Sequence, residues 1–358
     1  MVTAFLWSPS LAFAQAQPAV YQQEQPLQFH IDGFYRREWT RDFFGDAPDD
    51  SGWRLQARPR LEFGTETFQL GVGGDFNYSG YDNTEPLDGE TEILLQRDNF
   101  ASRDARLDLA FAKIDPVDFL RIEGGRFFLP IVMTEMIWDE DIRPQGAALH
   151  LMIPAGQTTT FRGTGLWSKG AHVFDDDRVT TTMLAGAFEG ESYDFGATWL
   201  RFDDIDELDP SLIRQNSRDA LGRLLYDRYQ VFDFVLRLRH SGNMPAELVG
   251  NYAWNSEADD DNKGYWARLR LGSLVEARGM LEYTYADVDR DATLAAYATD
   301  DFIWSTGWKG HRAVFSVKST PNSSIRLLAQ WQRFKAAPNP EAREHWVKRY
   351  RIDFRLDY

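Results

Sequence analysis

HWVKRYRIDFRLDY, residues 345–358, is the stretch that decides the fold. Apolar side chains occupy every second position of it: Tyr350, Ile352, Phe354, Leu356 and Tyr358. The positions between them are charged: Arg349, Arg351, Asp353, Arg355 and Asp357. Successive side chains of a β-strand point to opposite faces, so this period of two predicts a strand with one apolar and one charged face.

The same alternation recurs along the chain from about residue 26. GWRLQARPRLEF (52–63) places Trp53 and Leu55 on one face and Arg54 and Gln56 on the other. The connections between these segments alternate between short turns and longer, mostly acidic loops. This is typical of barrels with short periplasmic turns and long extracellular loops. We predict an all-β fold: a transmembrane antiparallel up-and-down β-barrel of about 16 strands, with 14 or 18 as alternatives.

The aromatic residues favour a membrane barrel over a soluble two-sheet sandwich. Aromatic residues make up 14% of the chain, and many of them lie near predicted strand ends, where rings favour the membrane interface. Examples are Tyr35, Trp53, Tyr78, Trp167, Trp199, Trp254, Trp304, Trp331, Trp346 and Tyr358. The alternative is that these rings form a sandwich core, but the polar faces carry too many charges for a second sheet to cover.

Composition excludes several classes of protein. Past the N-terminus there is no run of about 18 apolar residues, so a transmembrane helix is excluded. The chain lacks cysteine, which removes disulfides and thiolate metal sites. The net charge of −16 argues against a nucleic-acid partner, because the phosphate backbone attracts basic surfaces.

The N-terminus has features of an export signal. Apolar residues are followed by small residues with Ala-x-Ala spacing, at Ala12 and Ala14 or at Ala14 and Ala16. We therefore divide the chain into a signal-peptide remnant (1–16), a periplasmic N-terminal segment (17–25) and a transmembrane barrel (26–358). A basic start to the signal is missing, which suggests a start codon upstream, and a disordered apolar tail is the alternative.

The segment GGRFFLPIVMTEMIWDEDIRPQGAALHL, residues 124–151, carries a family resemblance. It resembles a family of Gram-negative outer-membrane porins that are distantly related to the phosphate-selective porins. The matching residues are Gly125, Arg126, Pro130, Trp138, Asp139, Asp141 and Gly146. The last strand, which ends on an aromatic residue, also resembles the C-terminal sorting strand of outer-membrane barrels. That strand closes the barrel against the first strand.

This resemblance implies a passive diffusion channel in the bacterial outer membrane, often a homotrimer. Its expected partners are outer-membrane lipids and lipopolysaccharide, small hydrophilic solutes or ions, and the barrel-assembly machinery, which would recognise the C-terminal strand. Independently of the resemblance, residues 129–145 are the least repetitive stretch of the chain and carry an acidic cluster, so we expect a constriction loop there. The scarcity of lysine in the strands argues against phosphate selectivity.

Alternation assigns a set of arginines to the lumen. The predicted pore-lining residues are Arg54, Arg58, Arg60, Arg106, Arg121, Arg237, Arg239, Arg268, Arg270, Arg326, Arg349, Arg351 and Arg355. The predicted constriction-loop residues are Trp138, Asp139, Glu140, Asp141 and Arg143. We expect a basic wall that faces an acidic loop, since arginine suits a wet wall that guides anions. The alternative is that these arginines only pair with the lumenal acids Asp108, Glu123, Asp233 and Asp353.

Other chemistry is weakly indicated. The six histidines have no metal-ligand spacing, so no metal or cofactor is predicted. The runs 175–177 and 259–261 are all aspartate, and calcium binding by such loops is an alternative to plain solvation.

We expect no enzyme. A barrel lipase or protease would need a nucleophile and a histidine, and His240-Ser241 lies at a predicted periplasmic turn. The remaining alternative is a structural or adhesive barrel with a plugged lumen.

Overall fold

The computed structural model describes residues 27–42, 49–65, 67–81, 103–129, 131, 133–171, 179–208, 215–275, 278–299, 301–335 and 343–358. The predicted segments 1–16 and 17–25 and the aspartates 175–177 lie outside the described residues. Within those ranges, no helix has the length and apolar character needed to cross a membrane.

The described residues form sixteen β-strands. These are β1 (Leu27–Arg41), β2 (Asp50–Gly64), β3 (Phe68–Tyr81), β4 (Arg103–Val117), β5 (Leu120–Arg126), β6 (Pro144–Pro154), β7 (Thr159–Ala171), β8 (Thr180–Gly190), β9 (Tyr193–Asp203), β10 (Tyr229–His240), β11 (Ala246–Asn255), β12 (Lys263–Ser273), β13 (Gly279–Val288), β14 (Trp308–Thr320), β15 (Ser323–Phe334) and β16 (Val347–Asp357). Each strand pairs with its neighbours in chain order, and β16 pairs with β1 to close the barrel. The predicted all-β antiparallel barrel of 16 strands is confirmed.

The alternation in sequence becomes an alternation in burial. On β16, Arg349, Arg351 and Asp353 are buried in the barrel, whereas the side chains of Tyr350 and Phe354 are 40% and 51% exposed on its outer surface. The other strands likewise place large apolar side chains outside. Closure pairs the backbone N–H and C=O groups that would otherwise be free at the sheet edges. A barrel surrounded by lipid requires such pairing, because lipid offers no hydrogen-bond partners.

The seam between β1 and β16 is held along its length. Trp39 lies opposite Tyr350 in the register, and Asp32 lies opposite Asp357. At the end of the seam, the backbone N–H of Tyr358 donates to Ile31 at 2.9 Å, and the N–H of Ile31 donates to the carbonyl of Tyr358 at 2.7 Å. The closing strand predicted from the C-terminal stretch therefore occupies the expected position.

The connections divide the barrel into two ends. The turn end carries the short connections, for example 118–119, 191–192 and 321–322. The loop end carries the longer ones, among them 127–143 after β5 and 289–307 after β13. We call these two segments the first inner loop (127–143) and the second inner loop (289–307), because their described residues are largely buried inside the barrel.

Two local predictions were wrong. The segment FIWSTGWKGHRAVFSVK, residues 302–318, predicts a strand with Trp304 near a membrane interface; instead β14 begins at Trp308 and Trp304 is 0% exposed. It packs on Phe334 with ring centroids 5.1 Å apart, inside the barrel. The triplet Asp115-Pro116-Val117 predicts a turn, but β4 continues to Val117 and the reversal falls at 118–119.

Candidate functional site

The first inner loop leaves the wall where β5 stops at Arg126. The backbone of Gly125 has φ +111°, a region that side chains disfavour, and an added Cβ would lie 2.1 Å from the carbonyl oxygen of Ala110. From this bend the chain turns inward instead of continuing as a strand. Phe127, Met133 and Ile137 of the loop are then fully buried.

Backbone hydrogen bonds join the two inner loops. The N–H of Asp139 donates to the carbonyl of Tyr297 at 2.8 Å, and the N–H of Thr299 donates to the carbonyl of Glu135 at 3.0 Å. These bonds satisfy peptide groups that have left the barrel sheet, which a buried loop requires. The second inner loop was not predicted as part of the site.

An aromatic cluster anchors both loops against one side of the wall. The Trp138 ring lies 5.0 Å from that of Tyr297 and 6.4 Å from that of Phe202 on β9. The indole N–H of Trp138 donates to the carbonyl of Ile142 at 3.0 Å. Trp138 is therefore part of a dry core between loop and wall and does not line an open passage. This core explains why inward positions such as Val231 on β10 are apolar.

Ion pairs tie the acidic part of the first inner loop to the wall. Glu135 accepts two hydrogen bonds from Arg312 on β14, at 2.8 and 3.2 Å. Asp141 forms an ion pair with Arg58 on β2. Such charge-assisted contacts are stronger than neutral hydrogen bonds, so they fix the loop across the bore.

The second inner loop has its own ionic anchor, Asp301. Its carboxylate lies 3.3 Å from Arg36 on β1 and 2.7 Å from Arg351 on β16. Arg36 also binds Asp353 of β16 through two hydrogen bonds, at 2.9 and 3.2 Å. The loop is thus fixed to the strands that form the seam.

Between the loops and this wall lies a narrow polar gap. Phe34, Arg36, Arg54, Arg58 and Arg355 line the wall side, and Glu135, Asp139, Glu140, Asp141, Thr299 and Asp301 line the loop side. The cavity volume is about 20 Å³, close to the space that one water molecule needs. Cations line one side of the gap and anions the other, so the electric field runs across the gap.

The carboxyl groups of the gap differ in the direction in which their pKa values are shifted. Burial inside the barrel and the neighbouring Asp141 carboxylate raise the pKa of Glu140 to about 7. Burial opposes the ionisation of Asp141 as well, but Arg58 and Arg143 hold its pKa well below the usual range. In the same way, Arg36 and Arg351 overcome burial and keep the pKa of Asp301 low.

The structure places the predicted arginines in two groups. Arg54, Arg58 and Arg355 line the gap, and next to it Arg349 donates to the carbonyl of Phe302 at 3.2 Å, while Arg351 binds Asp301. Many of the others pair with acids of the wall. These pairs are Arg60 with Glu62, Arg106 with Asp75, Arg121 with Asp115, Arg237 and Arg239 with Asp194, and Arg268 and Arg270 with Glu247.

The four lumenal acids that were the alternative partners of the predicted arginines bind different kinds of groups. Asp108 pairs with Arg143 and Asp353 with Arg36. Glu123 lies 3.3 Å from Lys113. Asp233 accepts from the amide of Asn251.

Sequence reasoning missed three charged residues of the gap, Arg36, Glu135 and Asp301, as well as the uncharged Phe34 and Thr299. Arg36 is followed by Arg37, so charge alone does not say which of the two points inward. Glu135 lies within the expected constriction loop, 129–145, but it was not singled out. Asp301 directly precedes the stretch that was assigned to a membrane-crossing strand, so it was counted with the outer loop.

Other chemistry has little support among the described residues. No group of His, Asp and Glu side chains there could hold a metal ion. His240 ends β10, and it and Ser241 are exposed at the turn end.

Comparison with known proteins supports the fold. No family model and no curated protein sequence matches the chain. The high-pH structure of OprB from Pseudomonas putida is similar, with a TM-score of 0.65 at 9% identity over 93% of this chain and 94% of that chain. OmpF of Salmonella typhi in complex with daunomycin gives 0.56 at 12% identity, over 95% and 99%. OccAB4 of Acinetobacter baumannii gives 0.50 at 9% identity, over 94% and 100%. The chain thus has the closed sixteen-strand barrel fold of outer-membrane porins.

Proposed function

We propose that this protein is a channel of the bacterial outer membrane, through which small hydrophilic solutes or ions diffuse passively. The observation that carries the proposal is the charged gap inside a closed barrel, with Arg54 and Arg58 on the wall and Glu140 and Asp141 on the loop. The outward apolar side chains and the likeness to OprB and OmpF support a place in the outer membrane.

In this proposal the gap is the constriction of the channel. A field across the passage orders water and discriminates among solutes by size, charge and dipole. The first inner loop supplies the acidic side, as the predicted constriction loop 129–145 would, and Asp301 of the second inner loop adds to it. Predicted arginines that are paired with wall acids, such as Arg106 with Asp75, contribute less to the field because their charge is largely neutralised.

Single-channel recording in planar bilayers with a salt gradient tests this assignment. Arg54→Ala and Arg58→Ala remove cations from the gap, so we expect both to change conductance and to lower the preference for anions. Arg60→Ala is the matched control, because Arg60 is on the same strand but pairs with Glu62 at 2.9 Å outside the gap. Unchanged selectivity in both gap variants, or an equal change in Arg60→Ala, would refute the assignment.

A second candidate is a structural or adhesive barrel with a plugged lumen. It is favoured by the small volume of the gap, about 20 Å³, and by the aromatic core of the inner loops. Liposome swelling separates the two candidates: a channel admits small sugars and the liposomes swell, whereas a plugged barrel leaves them unchanged.

The proposal also includes four more specific expectations that follow from the sequence. They are a homotrimeric assembly, lipopolysaccharide as a neighbour, recognition of β16 by the barrel-assembly machinery, and kinship with distant relatives of the phosphate-selective porins. Crosslinking of the protein in native membranes would test the trimer directly.

A further inference from the structure

Two inward arginines, Arg326 on β15 and Arg355 on β16, have no hydrogen bond or ion pair within the part of the chain that the structure describes. The Arg355 guanidinium lies over the ring of Phe34, with the centroid 5.8 Å away. Each side chain is half-buried, so its charge is partly removed from water while it stays reachable from the lumen.

Most of the nearby acids do not neutralise this pair, because other arginines already bind them; Glu140, across the gap, acts on Arg355 but forms no ion pair with it among the described residues. The charged groups that act on Arg326 include Arg355, Asp353 and Asp301. Both carboxylate oxygens of Asp353 accept hydrogen bonds from Arg36, at 2.9 and 3.2 Å. Oδ1 of Asp301 accepts from Arg36 and from Arg351, at 3.3 and 2.7 Å. The wall therefore holds a local surplus of positive charge.

The strand register brings the two guanidinium groups together. Arg326 lies opposite Asp353, and Ser324 lies opposite Arg355, so the two arginines are diagonal neighbours on the inward face. Diagonal neighbours lie about 7–8 Å apart, a distance that two long side chains can close around one small ligand. Arg355 also lines the gap.

We propose that Arg326 and Arg355 form a binding site for a small oxyanion, a carboxylate or a phosphate, on the turn-end side of the gap. The planar guanidinium fork donates two parallel hydrogen bonds to such groups, and an anion between the two forks removes their mutual repulsion. The Ser324 hydroxyl, across from Arg355, offers a further donor. The inference rests on the proposed function only for the route by which the anion reaches the site.

Isothermal titration calorimetry on the detergent-solubilised barrel tests the site without requiring an open passage. Sodium phosphate and sodium acetate are titrated separately in a chloride buffer, so that the two oxyanion classes are distinguished. We expect one of them to bind with a stoichiometry of one, and Arg326→Gln and Arg355→Gln each to weaken binding about tenfold or more, the scale of a lost charged hydrogen bond.

Arg121→Gln is the matched control. It also removes one inward arginine, but Arg121 is paired with Asp115 at 2.8 Å and should not contribute to the site. Circular dichroism and heat-modifiable gel mobility verify that each variant is folded. Absence of binding in the parent protein, or an equal loss in Arg121→Gln, would overturn the inference.

Conductance measured on the same preparation keeps the two proposals apart. A conducting barrel that binds neither anion retains the proposed function and rejects the site. A barrel that binds an anion but passes no current rejects the proposed function and retains the site.

Discussion

Glu140 should make the ion preference of the proposed channel depend on pH near neutrality. Its pKa is raised to about 7, so the carboxyl group is neutral at pH 5 and ionised at pH 9. Because ionisation adds a negative charge to the loop side of the gap, raising the pH favours cations. Two unit charges about 6 Å apart in a water-like dielectric interact by about 0.7 kcal/mol, or about threefold in occupancy. The effect on anions is equal and opposite, so the cation-to-anion permeability ratio should rise by up to about tenfold.

The assay is the reversal potential under a potassium chloride gradient, measured from pH 5 to pH 9. We expect a midpoint near pH 7 in the parent protein and a flat profile at the low-pH value in Glu140→Gln. Glu189→Gln is the control, since Glu189 is bound by Arg162 at 3.0 and 3.1 Å and does not line the gap; its profile should resemble that of the parent. A midpoint near 7 that persists in Glu140→Gln would refute the reasoning.

Three further predictions concern the wall and the inner loops. Leu184→Arg places a charge on an outward position that is 61% exposed, and it should lower the free energy of unfolding in lipid vesicles by about 2–4 kcal/mol, whereas Leu184→Phe should have little effect. Trp304→Ala empties a fully buried site and should cost about 3–5 kcal/mol by denaturant unfolding, while Trp167→Ala, at an outward position, should cost less; equal costs would contradict the inner core. Asp141→Asn weakens the contact with Arg58 and should increase the current noise of single channels, and a trace as quiet as that of the parent would argue against the anchor.

The strands were predictable because their signal is local. A period of two needs only the sequence of one segment, and β16 and β2 carry it plainly, so the inward positions of Arg54, Arg58 and Arg355 followed from it. The first inner loop lies in the stretch that was singled out for the opposite reason, because its sequence is the least repetitive in the chain.

The second inner loop could not be found in this way. Its aromatic residues, Phe302 and Trp304, are two positions apart, as they would be on the membrane-facing side of a strand. In the barrel they point into an inner core instead, because Trp266, Trp308 and Phe334 offer them aromatic surface there. Alternation shows that two faces differ, but it does not say whether the apolar one meets lipid or protein.

By itself, the sequence determined that this chain forms alternating strands whose number and even spacing close a barrel with charges inside. Only the tertiary structure decided which charges meet. Arg36 binds Asp353 across the seam and Arg312 binds Glu135 across the bore, so partners far apart in the chain become neighbours. The physical reason is that the side-chain period is a property of each strand's own backbone, whereas contacts across the lumen depend on closure, register and the path of two loops.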